Sequence, residues 1–262
     1  MDEMDLGIAG RTAIVCASSR GLGRACAISL AQAGCHVVIN GRDAKVLNVT
    51  AEEIRAQTGG KVTPVVADVG TPEGQAAMFA AAPEPDILVN NNAGPPARDF
   101  RELTREQITA GLSANMIFAI ELIQKVVDPM VRRKFGRIVN ITSGSVKMPL
   151  VGLDLSSGAR AGLTAFLGGV ARSVAASNVT INFLLPGPFG TERLYGYLEA
   201  TAKKSGISNE QAITARAASV PAKRFGEPAE FGDACAYLCS AQAGFITGQS
   251  LLIDGGSFPG AF

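Results

Sequence analysis

The sequence predicts an α/β protein in which one parallel sheet carries helices on both faces. Three observations predict it. Seven short apolar runs, rich in β-branched residues, alternate with longer stretches of helical periodicity. Most of these runs are continuously apolar, as strands buried on both faces must be. A glycine-containing turn follows the first run directly and opens the first helix.

Taken in order, "TAIVCA" (12–17) is the first strand. Leu22, Ala25, Cys26, Ser29, Leu30 and Ala33 then keep one helical face, and Gly34 closes that helix. "HVVIN" (36–40) is the second strand; Asp43 caps the next helix, which ends at Gly59-Gly60. The third strand, "KVTPVVA" (61–67), contains Pro64, which cannot donate to a ladder and so belongs at a sheet edge. A helix near 73–81 leads to "DILVN" (86–90). Thr104 and Gln107 form a capping-box pattern before a long helix that stops before Gly136, with Pro129 expected to kink or interrupt it late. "RIVNI" (137–141), a helix over 157–176, "TINFLL" (180–185), a helix over 228–240 and "SLLID" (250–254) complete the series. Right-handed crossovers wind such a chain into a Rossmann-type doubly wound sheet of about seven strands, in which the third strand is an edge. Residues 190–222 are weakly patterned and form a candidate lid over a site. With no linker or charge block, residues 1–262 read as a single domain.

Composition narrows the function. Lys plus Arg number 24 against 23 for Asp plus Glu, so the chain lacks the basic footprint of a nucleic-acid or anionic-membrane partner. Hydrophobic residues make up 47%, too many for a disordered chain. The opening "MDEMDLGIAG" lacks the basic-then-apolar order of a secretory signal, and no apolar run is expected to reach the length of a membrane span, so a cytoplasmic protein is expected. Cys16, Cys26, Cys35, Cys235 and Cys239 read as reduced core thiols rather than a disulfide set. With a single histidine, His36, no metal site is expected.

The turn "VCASSRGLGRA" (15–25) is the first chemical signal. Ser18, Ser19, Arg20, Gly21, Leu22 and Gly23 lead straight from a buried strand into a helix, where free backbone N–H groups and the helix dipole suit a diphosphate. On these residues the chain resembles the short-chain dehydrogenase/reductase family, nearest to bacterial 3-oxoacyl-acyl-carrier-protein reductases. The resemblance covers nearly the whole chain. In the family's Thr-Gly-x-x-x-Gly-x-Gly turn, Gly21 and Gly23 match while Cys16 and Ala17 replace the Thr and first Gly. "ADV" (67–69) matches the adenine-contacting motif, which places Asp68 and Val69 at the cofactor. "DILVNNNAG" (86–94) resembles Asp-x-Leu-Val-Asn-Asn-Ala-Gly with one Asn too many. Either a residue is inserted or Asn92-Ala93 stands for Ala-Gly, so Asn90, Asn91, Ala93 and Gly94 are all candidates. "PGPFGT" (186–191) places Pro186, Gly187 and Thr191 near the nicotinamide, and residues 225–256 resemble the family's C-terminal segment. The second strand ends in "NGRD" without a carboxylate at its tip for a ribose 2′-hydroxyl. Arg20 and Arg42 at that corner instead suit a 2′-phosphate, so NADP is expected over NAD.

The resemblance also implies a proton relay of Asn, Ser, Tyr and, four residues after the Tyr, Lys. Asn115 in "SANMIF" and Ser143 in "NITSGS" match the first two. Ser156 and Arg160 stand where the Tyr and Lys belong. An aliphatic hydroxyl is a far weaker acid than a phenol, and a guanidinium stays charged and cannot pass protons. The candidate surrogates are Lys147, Tyr195, Tyr197, or water held by Ser143 and Asn115. Tyr237 reads as core and His36 as structural. The expectation is therefore an NADP-dependent ketone reductase with an atypical proton donor, and the resemblance implies a 3-oxoacyl group as the ketone. Its rival is a weak or silent NADP-binding relative that works as a sensor or partner subunit. Phe189, Leu194, Tyr195, Tyr197 and Leu198 suggest a small-molecule substrate with an apolar portion, and the family resemblance implies a homotetramer.

Overall fold

The computed structural model describes residues 5–260. Seven strands form one parallel sheet: β1 (Thr12–Val15), β2 (His36–Gly41), β3 (Val62–Val66), β4 (Ile87–Asn90), β5 (Gly136–Ile141), β6 (Val179–Pro186) and β7 (Ser250–Ile253), in the order β3-β2-β1-β4-β5-β6-β7. Pro64 does sit in an edge strand, opposite Ile39 of β2.

The order reverses between β1 and β4, which opens a crevice at their carboxyl ends. One face of the sheet is covered by α1 (Gly21–Gln32), α2 (Ala44–Thr58) and α9 (Pro228–Cys239). The other is covered by α3 (Pro72–Ala81), α5 (Phe118–Arg133) and α6 (Asp154–Val174). Each buried Leu, Ile or Val in these two layers, such as Leu30 or Ile138, contributes about 1.5–3 kcal/mol. α1 and α9 approach closely because a Cβ on Gly232 would stand 2.6 Å from the Ser29 hydroxyl. All five cysteines are buried free thiols.

Four expectations change. The helix through Pro129 is unbroken, since α5 runs on to Arg133. Its irregularity lies earlier, where α4 (Arg105–Leu112) joins α5 through a π-helical turn, Ser113–Ile117. The whole stretch Arg105–Arg133 is long and apolar enough, by length and composition, to cross a membrane. Leu122, Ile123, Val126 and Met130 of that stretch instead pack against the sheet. Residues 190–222, whose weak patterning gave no helix, hold two, α7 (Glu192–Ser205) and α8 (Asn209–Ala218). α6 begins three residues before 157, so Ser156 lies in its first turn. Tyr237 is not core: it faces outward on α9, 43% exposed.

Candidate active site

The first turn is held by the strands on either side of β1. Asn40, at the end of β2, accepts a hydrogen bond from the Ala17 amide at 3.2 Å, and the Asn91 side chain donates to the Ala17 carbonyl at 3.2 Å. Ala17 takes φ +45°, a left-handed value, and this reversal ends β1 at Val15 rather than at 17. Gly23 is required: a Cβ there would overlap the Ala17 carbonyl oxygen and stand 2.9 Å from the Asn91 amide. α1 starts without a side-chain cap and without an acidic residue in its first turn. The N–H groups at its start are therefore left for an anion, which fits a cofactor diphosphate.

Not every residue of the cradle can use its side chain. The Ser18 hydroxyl is buried, donates to the Val15 carbonyl at 2.7 Å and accepts from the Asn40 amide at 2.9 Å. Leu22 and Val69 pack into the two core layers. These three offer a ligand only backbone groups. Ser19 lines an open cleft of about 1070 Å³ with Arg20 and Gly21. Arg20 pairs with Glu192 at 3.2 Å, and Arg42 lies 3.7 Å from Asp68; all four side chains are largely solvated. Asp43 is committed to capping α2, accepting from the Lys45 and Val46 amides. Arg42 thus stands at the β2 corner, while the Arg20 guanidinium reaches α7.

The far wall comes from the ends of β4 and β6. Asn90 closes β4 opposite Asn140, and Asn91 and Asn92 begin the loop that follows. Ala93 is exposed, and Gly94 follows in that loop. Pro186 ends β6. The Gly187 amide donates to the Ile253 carbonyl at 2.8 Å, and a Cβ there would strike Asp254. Thr191 caps α7, and its methyl group stands 3.8 Å from where a Cβ on Gly21 would lie, so the two halves of the site meet there.

The relay residues sit at the carboxyl side of β5. Ser143 opens a short 3-10 turn, its hydroxyl accepting from the Ser145 amide at 3.1 Å. Asn115 is 3% exposed in the π turn; its amide donates to the Gly111 carbonyl at 3.2 Å, and its Oδ1 has no partner among the described residues. π turns of this kind recur at functional sites. Ser156 and Arg160 touch, Nε to Oγ at 3.3 Å. Arg160 Nη1 donates to the Ile141 and Thr142 carbonyls at 2.8 and 3.0 Å, which tethers α6 to the end of β5. Burial, then the charge of Arg193, lowers the Arg160 pKa to about 10, so it remains a cation at neutral pH.

Lys147 lies 5.9 Å from the Phe258 ring centroid. Tyr195 packs edge-on against Phe225, and Tyr197 is 63% exposed. His36 hydrogen-bonds Thr63 at 2.9 Å at the head of β2, the end remote from the site. Burial pushes the Cys16 thiol up to about 12. The sequence reading missed Arg193, whose guanidinium lies near Gly94 and Arg160. Its signal was position alone, two residues past Thr191.

A parallel sheet with its crevice at the β1/β4 switch and a glycine turn opening an uncapped helix there define a dinucleotide-binding architecture. A family profile described as enoyl-(acyl carrier protein) reductase matches residues 16–257. The chain belongs to the short-chain dehydrogenase/reductase family. It is 31% identical over 252 residues to the NADPH-dependent reductase BacG of Bacillus subtilis, covering 94% of this chain and 97% of BacG. It is 30% identical over 262 residues to the 3-oxoacyl-[acyl-carrier-protein] reductase FabG of Vibrio cholerae, covering 97% and 99%. The structure of L-sorbose reductase from Gluconobacter frateurii, complexed with NADPH and L-sorbose, superposes with TM-score 0.92 at 28% identity, covering 98% of this chain and 100% of that one.

Proposed function

We propose that this chain is an NADP-dependent reductase of a ketone, within a 3-oxoacyl chain, that works without a phenol as proton donor. The observation that carries the reading is the Ser156–Arg160 contact. A buried guanidinium tied to the end of β5 occupies the helix turn where the family resemblance calls for Tyr and Lys. Gly21, Gly23 and the open start of α1 would hold the cofactor diphosphate, Arg20 and Arg42 its 2′-phosphate, Asp68 its adenine, and Thr191 its nicotinamide side. NADPH, when bound, supplies the hydride.

Ser143 orients the carbonyl, and the unpartnered Asn115 Oδ1 can accept a hydrogen bond from an ordered water that delivers the proton. Arg160 holds its place by donating to backbone carbonyls and cannot serve as the acid. General acid catalysis typically contributes about 10²–10⁴ in rate, so turnover is expected to be slow. A second reading follows from the same contact: the chain binds NADP and does not turn over, acting as a sensor or partner subunit. Assembly as a homotetramer accompanies either reading.

The first experiment pairs NADPH-dependent thermal stabilisation with a turnover screen over β-ketoacyl thioesters, diketones and quinones. NADPH is expected to raise the melting temperature more than NADH. Stabilisation without turnover selects the second reading; no stabilisation rejects both. The double variant S156Y/R160K, if folded and cofactor-bound, is expected to reduce the same ketones faster by up to about 10²–10⁴. No gain on any of them would show that Ser156 and Arg160 do not hold the assigned places.

A further inference from the structure

Arg160 is buried at 8% exposure, yet its hydrogen bonds reach only neutral acceptors: the Ile141 and Thr142 carbonyls, the Ser156 hydroxyl and, at 3.5 Å through Nη2, the Asn92 carbonyl. No carboxylate pairs with it among the described residues. Arg193, in the first turn of α7, has no ion pair among the described residues either; its neighbour Glu192 is taken by Arg20. The two guanidinium groups converge on one glycine. A Cβ built on Gly94 would lie 3.2 and 3.5 Å from the terminal nitrogens of Arg193 and 3.5 Å from Arg160 Nη2. Two like charges drawn together, one of them buried, with no acid between them, make an anion-binding arrangement.

We propose that the substrate carries a carboxylate, held beside Gly94 by Arg193 and Nη2 of Arg160. This rests on the reductase reading of the site and adds a substrate class to it: oxo acids rather than neutral ketones. The carboxylate accepts from guanidinium N–H groups that otherwise have weak partners or none. The cofactor diphosphate has its own place at the open start of α1.

The test is a calorimetric titration of the NADP-loaded protein. The probes are 2-oxo and 4-oxo carboxylic acids of about three to eight carbons and the methyl ester of each. At least one acid is expected to bind about tenfold or more tightly than its ester. That ratio is expected to fall towards one in R193M and to be partly kept in R193K, with NADPH affinity in both variants within about threefold of the parent. Acids that bind no better than their esters, or no measurable binding of either, would overturn the proposal. So would an R193M variant that loses NADPH affinity and keeps the acid-over-ester ratio, because the guanidinium would then belong to a cofactor phosphate. If NADPH does not bind the parent at all, the reductase reading fails. The acid-over-ester ratio measured on the unloaded protein still decides the carboxylate site.

Discussion

Ala17 and Gly23 show how much a single methyl group decides in this turn. Ala17 holds a left-handed φ of +45°, which costs an L-residue about 1–2 kcal/mol, and the Asn40 and Asn91 side chains keep it there. A17G is expected to relieve most of that strain and, after the entropy that glycine adds to the unfolded chain, to stabilise by about 1 kcal/mol, read as a higher urea midpoint. G23A drives a Cβ into the Ala17 carbonyl. It is expected to abolish NADPH stabilisation even where the variant still folds. The glycines of this turn were legible in the sequence because glycine itself is the signal. The committed Ser18 hydroxyl and the reach of Arg193 towards Gly94 were not, because both depend on where a side chain points after distant strands have paired.

Strand and helix order was largely readable from hydrophobic period, and the capping box at Thr104 is formed as its spacing implied. The misjudged elements share a cause: neighbours overrode local propensity. Pro129 lies on the half-buried flank of α5, whose Leu122, Val126 and Met130 remain anchored in the core, so the helix passes through it. In β5, Arg137 is a charged residue that the strand buries, 1% exposed. It donates to the Gly136, Asn178 and Ser240 carbonyls and stacks 4.4 Å from the Phe135 ring centroid. R137A removes the guanidinium donors, leaving the Asn178 carbonyl only the Gly136 amide, and is expected to destabilise by about 1–3 kcal/mol in chemical denaturation. At the start of α9, Glu230 accepts from Arg224 and from the Glu227 amide, which lowers its pKa to about 2. A carboxylate depressed in the folded state stabilises above its unfolded value of about 4.3, and the effect is lost as pH falls through about 2. E230Q is therefore expected to melt below the parent near neutral pH, with the gap closing by about pH 2.

At the scale of the whole molecule, Pro64 alone was enough to place β3 at an edge, because a missing amide donor is a global constraint. Assembly leaves a weaker trace in a single chain. Ile108, Ile117 and Phe166 on the α4–α6 side, and Tyr237, Phe245 and Leu251 on the C-terminal side, remain exposed. If these are the two tetramer faces, sedimentation is expected to give about four times the 27.0 kDa chain mass. A monomer would remove that assignment.

One feature inside the sheet ties its middle to the end of the chain. Asn90 donates to Asn140, Asn140 to the Asn182 carbonyl, and Asn182 to the Ile246 carbonyl, while the Gln249 amide returns a bond to Asn182. During synthesis that relay of amides stays open until the last segment has left the ribosome. A nascent chain halted before Ile246 would leave Asn182 exposed to water at the sheet's edge and should be cut readily by protease, whereas the finished chain closes the seam and resists.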